Sequence, residues 1–291
     1  DHYRQALVLF RASGDRAGEA RVLSNVGIAE TNVGRYAQAA RHQEQAIAIF
    51  RDIGDRLGEA RALGNLGWAR QRQDRHQEAA RYHQQALDLS REISDLQGEA
   101  WALASLGAVD QRLGRYQHAA GYLKQAIVML HEMGNTRGES DALVRLGEVY
   151  LGLGGYEQAA GHFEQALAMS REISARIVEA DALNGLGEVH FRTGEAGKAR
   201  AHHTVALRLA SQAGVPLEQA RAHSGLARAC QADGNPLQAR HHWQQALTHY
   251  AAIDAPEADE IRARLATAGD NGDNDRKPTE ENGGTTALPR G

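Results

Sequence analysis

The sequence predicts an all-α solenoid of tandem helix hairpins, and three observations predict it. Gly27, Gly67, Gly107, Gly147 and Gly187 fall in one column at a spacing of 40 residues, with Ala227 replacing the glycine in the last copy. Two further columns hold alanine throughout: Ala39, Ala79, Ala119, Ala159, Ala199 and Ala239, then Ala46, Ala86, Ala126, Ala166, Ala206 and Ala246. Around each glycine, apolar residues sit at helical spacing, with Leu66, Leu106, Leu146 and Leu186 just before it and Leu63, Leu103, Leu143 and Leu183 four residues before it. Small residues on a helix let a neighbouring backbone approach until the flanking leucines interlock, and larger ones would overpack that seam.

Taken in order, residues 1–13 read as the second helix of a truncated repeat, because Ala6, Leu7 and Phe10 match Ala46, Ile47 and Phe50 one period later. Asp1 lies inside that helix by register, so the chain reads as part of a larger protein. Residues 14–253 then form six units of 40-residue period, as helix pairs at 16–53, 56–93, 96–133, 136–173, 176–213 and 216–253. Turns between units carry Gly14-Asp15, Gly54-Asp55, Ser94-Asp95, Gly134-Asn135 and Gly214-Val215-Pro216. Glycine supplies the left-handed residue past a helix end, Asp can cap the next helix, and Pro216 suits a first helical position. Within each unit the first helix ends at Gly34, Asp74, Gly114, Gly154, Gly194 or Gly234. The second helix follows, with an apolar face that includes Ala79, Tyr82, Ala86, Leu87 and Leu89 in the second unit. Residues 254–268, opened by Ala255-Pro256, read as a C-terminal capping helix, and residues 269–291, almost without apolar side chains, as a disordered tail.

Composition limits function. A formal charge of -4 and a pI near 6.4 give no bulk basic field, so no direct nucleic-acid partner is expected. The single cysteine, Cys230, excludes an internal disulfide framework and suits a reducing cytoplasm as a small buried apolar side chain. No apolar run reaches the length of a membrane span and no signal peptide is recognisable, so no membrane partner is expected. Only three of the 33 basic residues are lysine, an Arg and Ala bias that points to a GC-rich bacterial genome.

The spacings of Leu63, Leu66-Gly67, Ala79 and Ala86 resemble the tetratricopeptide repeat, in a long subclass of 40 rather than 34 residues. The resemblance covers residues 1–253 and implies a right-handed solenoid whose first helices line a concave, partner-binding surface. Two stretches, 182–188 and 240–247 followed by 256–260, are similar to the C-terminal repeats of actinobacterial antibiotic-regulatory transcription factors. Those carry a DNA-binding head and a nucleotide-binding ATPase middle, neither of which has a counterpart in this sequence.

No chemistry-bearing motif stands out. There is no phosphate-binding loop, and Gly152-Leu153-Gly154-Gly155 is a helix-to-helix turn. His202-His203 and His241-His242 are adjacent pairs that point about 100° apart on a helix, so they read as polar residues at the edge of a helix pair rather than metal ligands. Asp141, Glu148, Asp181 and Glu188 read as a solvated ridge, since one period separates each pair. No catalytic residue, metal or cofactor is expected.

What remains is the groove. The positions that usually touch ligand in the family correspond to Arg21 and Asn25 in the first unit and to Arg61, Asn65, Trp68 and Arg72 in the second. Further along they correspond to Trp101, Arg112, Arg145, Glu148, Asn184, Glu188 and Arg192, with Ser24, Ile28, Asn32, Asp141, Asp181, Arg221 and Arg228 beside them. The charges are zoned: basic early, acidic in the middle, basic again at the end. Zoning of this kind would select a partner of complementary charge, or it merely keeps the concave face soluble. Asn25 and Asn65 offer donors and acceptors to a peptide backbone, and Trp68 and Trp101 are candidate aromatic anchors. The expected function is noncatalytic binding of a peptide or helix of a partner protein by part of a bacterial transcriptional regulator. Alternatives are an autoinhibitory sensor arm contacting an attached ATPase or DNA-binding domain of the same chain, and a freestanding scaffold adaptor.

Overall fold

A computed structural model describes residues 2–253 and 255–273. Every element among them is an α-helix. α1 (His2–Ser13) is followed by six pairs: α2 (Arg16–Asn32) with α3 (Tyr36–Asp52), α4 (Arg56–Gln71) with α5 (His76–Glu92), and α6 (Leu96–Arg112) with α7 (Tyr116–Glu132). The series continues as α8 (Thr136–Gly152) with α9 (Tyr156–Glu172), α10 (Arg176–Arg192) with α11 (Ala196–Ala213), and α12 (Pro216–Ala232) with α13 (Pro236–Ala252). α14 (Glu257–Asp273) closes the described chain.

The last helix runs past residue 268, where the sequence reading ends it, so residues 269–273 are helical rather than tail. Glycine costs a helix only about 1 kcal/mol, and no proline stands before Pro278 to stop propagation. The remainder of the expected tail, 274–291, lies outside the described residues.

The chemistry at the turns follows the columns. Asp15, Asp55 and Asn135 each accept a hydrogen bond from the backbone amide three residues on, at 2.8, 2.8 and 3.0 Å. Asp95 makes no such bond, so the capping expected of it is lost in that unit. The left-handed conformation persists even where glycine does not: Asp74 (φ 60°) and Ser94 (φ 57°) adopt it. Units are also stapled by a repeated contact in which a buried or half-buried Glu near the start of a first helix meets the cation of the preceding second helix. Arg11–Glu19, Arg51–Glu59, Arg91–Glu99 and Arg171–Glu179 all lie at 2.7–2.9 Å.

The core runs along the stack. One sequence column inside it carries Gln43, His83, Leu123, Phe163, His203 and Trp243, each on a second helix and each buried. The glycine column exists to admit these side chains: a methyl at Gly67 would lie 2.6 Å from the His83 ring, and one at Gly107 or Gly147 would lie 2.6 or 2.7 Å from Leu123 or Phe163. Two expectations change here. His203 is core, 2% exposed, not a residue at the edge of a helix pair. On α5 His83 is buried together with Ala79, Ala86, Leu87 and Leu89, while Tyr82 is only half-buried.

Each first helix from α2 to α10 touches the first helix of the next unit, whereas second helices do not touch one another among the described residues. First helices therefore line the inner surface. They approach most closely at the C-terminal end, from α8 to α12. Gly185 and Gly225 seat α10 and α12 on the preceding second helices, because any side chain there would collide with Phe163 of α9 or His203 of α11.

Candidate functional site: an open basic groove with a closed acidic end

The close approach of α8, α10 and α12 consumes the charges of the C-terminal half. Arg221 donates to Glu148 at 2.7 Å, to Asp181 at 2.5 Å and to Glu218 at 3.3 Å, joining three successive first helices. Burial pushes the Asp181 carboxyl up, to about 7, with Arg221 opposing and Glu218 and Glu148 reinforcing. Glu188 meets Arg228 at 2.5 Å and Arg192 at 2.8 Å. Burial raises its pKa, but the two guanidinium groups outweigh burial and hold it below the ordinary carboxylate value. Asp181, Glu148 and Glu188 are thus not a solvated ridge but the centre of an ion network. Asn184 is 2% exposed and donates to the Glu218 backbone and side chain at 3.1 and 2.9 Å, so it faces the interior rather than a ligand. Arg192 and Glu148 are likewise engaged within the protein.

The N-terminal half is different. Trp68 is 44% and Trp101 64% exposed, on successive first helices. Together they border two cavities, of about 530 and 290 Å³, that meet between them. Arg61, Asn65 and Ile28 line the larger, and Arg145 lines the smaller beside Asp141. The larger has the size of a ligand site, and Thr31, Ser90, Asp95, Gln97 and Ser105 set polar side chains among its apolar walls. Arg21, Arg61 and Arg112 are exposed and, among the described residues, form no ion pair or hydrogen bond. Arg72 is taken: its guanidinium donates to the Tyr36 hydroxyl at 2.9 and 3.1 Å and lies 5.3 Å from that ring's centre. Asn25 is exposed, and Asn65 makes one long contact of 3.5 Å to Ser24 Oγ.

The structure therefore gathers Arg61, Asn65, Trp68 and Trp101 into one site with Arg145 at its edge. Arg21, Asn25 and Arg112 are exposed outside the cavity lining, Glu148, Asn184 and Glu188 are engaged within the protein, and Arg192 is exposed but paired with Glu188. Sequence reasoning missed His83, Ser90 and Ser105, which also line the larger cavity. The signal for His83 was present in the column that runs from Gln43 to Trp243.

A family model for the tetratricopeptide repeat matches residues 19–92, 59–130 and 138–212, together more than half of the sequence. The chain belongs to the tetratricopeptide repeat family. Among solved structures, the apo form of RapI is similar over 87% of this chain and 90% of its own, at 15% identity and a TM-score of 0.73. A Rap protein complexed with competence and sporulation factor matches 89% of this chain and 77% of its own, at 14% identity and a TM-score of 0.65. A signal-transduction ATPase with a tetratricopeptide repeat sensor from Pyrococcus horikoshii matches 85% of this chain but 38% of its own, at 20% identity and a TM-score of 0.64. These likenesses are of fold. Curated proteins give no match by sequence. No described helix is long and apolar enough to cross a membrane.

Proposed function

We propose that this tetratricopeptide repeat array is a noncatalytic protein-interaction module that holds an extended, acidic segment of a partner protein in the N-terminal half of its inner groove. One observation carries the reading: Trp68 and Trp101 stand exposed around a cavity beside unpaired Arg61, while the cations at the other end are neutralised internally. Aromatic and arginine side chains dominate binding energy at interfaces, and unpaired cations on a concave wall favour an anionic partner. The resemblance of the fold to a Rap protein in complex with a factor supports the same use. The test is selection of a displayed library of random 12-residue peptides on the full chain. Selected peptides should lose about 30-fold in affinity on Trp68→Ala or Trp101→Ala, the size of a hot spot of about 2 kcal/mol. Peptides that bind both variants as well as the native chain would overturn the assignment.

A second reading is a sensor arm of a larger regulator, intramolecular with an ATPase or DNA-binding domain. The likeness to the repeat sensor of a signal-transduction ATPase favours it, and so does the resemblance of residues 182–188 to actinobacterial regulators. A nucleotide-binding domain encoded upstream in the same reading frame would support it, and upstream repeats alone would count against it. Cys230, buried and unpaired, is consistent with a cytoplasmic setting.

A further inference from the structure

Seven seams join the helices, from α1 against α2 to α13 against α14, and at each a residue near the end of the earlier helix faces one eight positions on, early in the next. Phe10 faces Gly18 and Phe50 faces Gly58: a methyl on either glycine would lie 2.5 Å from the ring. Leu130 faces Gly138, where a methyl would lie 2.9 Å from the leucine. The later seams pair Ser170 with Val178, Ala210 with Glu218 and Tyr250 with Ala258, all buried and always a larger side chain with a smaller one. Either partner can supply the bulk, but one of them does. The seam between α5 and α6 departs from this, with Ser90 opposite Gly98.

The missing bulk is the larger cavity. Ser90 Oγ, 2.6 Å from a methyl built on Gly98, stands where the edge of the Phe50 ring stands one period earlier, and the side chain ends there. Ser90, Ala86, Gly98 and Ala102 all line the cavity, in the columns of Phe50, Ala46, Gly58 and Ala62. The space opens to the groove: Gly64, Asn65 and Gly98 are half-buried along it, and a methyl at Gly64 would meet no atom within 4 Å. Interiors are close-packed, so a void of side-chain size forfeits contacts that a bound group of the same shape restores. Asp95 in the lining is compatible with a ring, because Asp15 and Asp55 stand beside Phe10 and Phe50 at the equivalent glycines, each with a carboxylate oxygen 2.7 or 2.8 Å from the methyl position. The positive edge of an aromatic ring suits that neighbour.

Resting on the groove reading above, we propose that the larger cavity is a ring pocket for a phenylalanine side chain of the acidic partner segment, in the space that Phe10 and Phe50 fill from within at the first two seams. Shape and chemistry select this group. A charged or amide side chain would leave its polar end among Ala86, Gly98 and Ala102. The exposed indoles of Trp68 and Trp101 border the same space and favour an aromatic occupant over an aliphatic one. The polar side chains of the lining have their own use: Thr31, Gln97 and Ser105 can meet the backbone of an extended segment, which carries a donor and an acceptor at nearly every residue. Arg61 provides a counter-charge for an acidic residue next to the phenylalanine.

The repeats supply their own test substitutions. Ser90→Phe copies Phe50 and fills the pocket from within, whereas Ser170→Phe places the same ring where Val178 already fills the seam. Thermal unfolding followed by circular dichroism reads the vacancy without a ligand: Ser90→Phe should raise the midpoint and Ser170→Phe should lower it by overpacking. Among library peptides whose binding depends on Trp68, phenylalanine should dominate one position with Asp or Glu within two residues. Replacing that phenylalanine by alanine should weaken binding to the native chain about 10- to 100-fold, the range for burying a phenyl ring. On Ser90→Phe the phenylalanine peptide should lose a similar factor, because the protein's own ring now occupies the site. The comparison of the two peptides on the native chain needs no protein variant to fold. A lowered midpoint for Ser90→Phe, an aliphatic or polar residue at the fixed position, tolerance of alanine on the native chain, or undiminished binding of the phenylalanine peptide to Ser90→Phe would overturn the pocket while leaving the groove reading intact. Binders indifferent to Trp68 and Trp101 would overturn both.

Discussion

Replacing His83 by leucine should stabilise the free protein, and by more in acid than in base. Burial lowers the His83 pKa from 6.5 to about 4. Between those values the unfolded chain takes up a proton that the folded chain refuses, so the stability associated with this group is complete above pH 6.5 and is lost as pH falls toward 4. At about 1.4 kcal/mol per pH unit, the loss approaches roughly 3 kcal/mol at the lower limit and is about 2 kcal/mol at pH 5. Leucine has nothing to protonate and leaves no ring nitrogen unpaired, and Leu123 shows that the site accepts it. Urea unfolding followed by helical circular dichroism at pH 8 and pH 5 reads the difference between native and His83→Leu protein. Other buried histidines, such as His203 with a pKa near 3, contribute equally to both proteins and cancel. The stabilisation by leucine should grow by about 2 kcal/mol from pH 8 to pH 5. A difference that stays flat would refute the neutral, unpartnered histidine.

Further outcomes follow from the same contacts. Arg221→Ala leaves Glu148, Asp181 and Glu218 without their shared cation and should destabilise by about 1–2 kcal/mol, between the values for exposed and buried pairs because most of the network is only half-buried, measured by urea unfolding. Gly67→Ala should cost about 1–3 kcal/mol by driving a methyl into the His83 ring, whereas Gly121→Ala, where a methyl meets nothing, should raise stability by about 0.5–1 kcal/mol in the same assay. Asp55→Ala should cost about 1 kcal/mol through loss of its cap to Gly58, and Asp95→Ala should cost less because that cap is absent. Affinity for an acidic groove peptide should fall as salt rises from 50 to 500 mM, read by titration calorimetry, since Arg21, Arg61 and Arg112 are exposed.

The repeat, its helix pairs and its turn residues were legible in the sequence because each is set by residues close in the chain and copied six times. Gly67 and Leu66 announce a packing seam wherever they recur. The site was only half legible. Trp68 and Trp101 stand out because they replace residues that packing does not demand, but the fate of the charges depends on contacts across units. Arg221 and Glu148 are 73 residues apart and meet across the first helices α8 and α12. Nothing within one unit foretells that contact. His83 was ordinary in isolation, and its place in the core emerges when the column from Gln43 to Trp243 is compared across units.

The central claim is the location of binding, and hydrogen exchange with and without a saturating library-selected peptide tests it most directly. The account predicts slowed exchange in α4 and α6, around Asn65, Trp68 and Trp101, with α10 and α12 unchanged because their inner faces are already engaged. Protection confined to α10 and α12, or to the second helices α5 and α7, would contradict it.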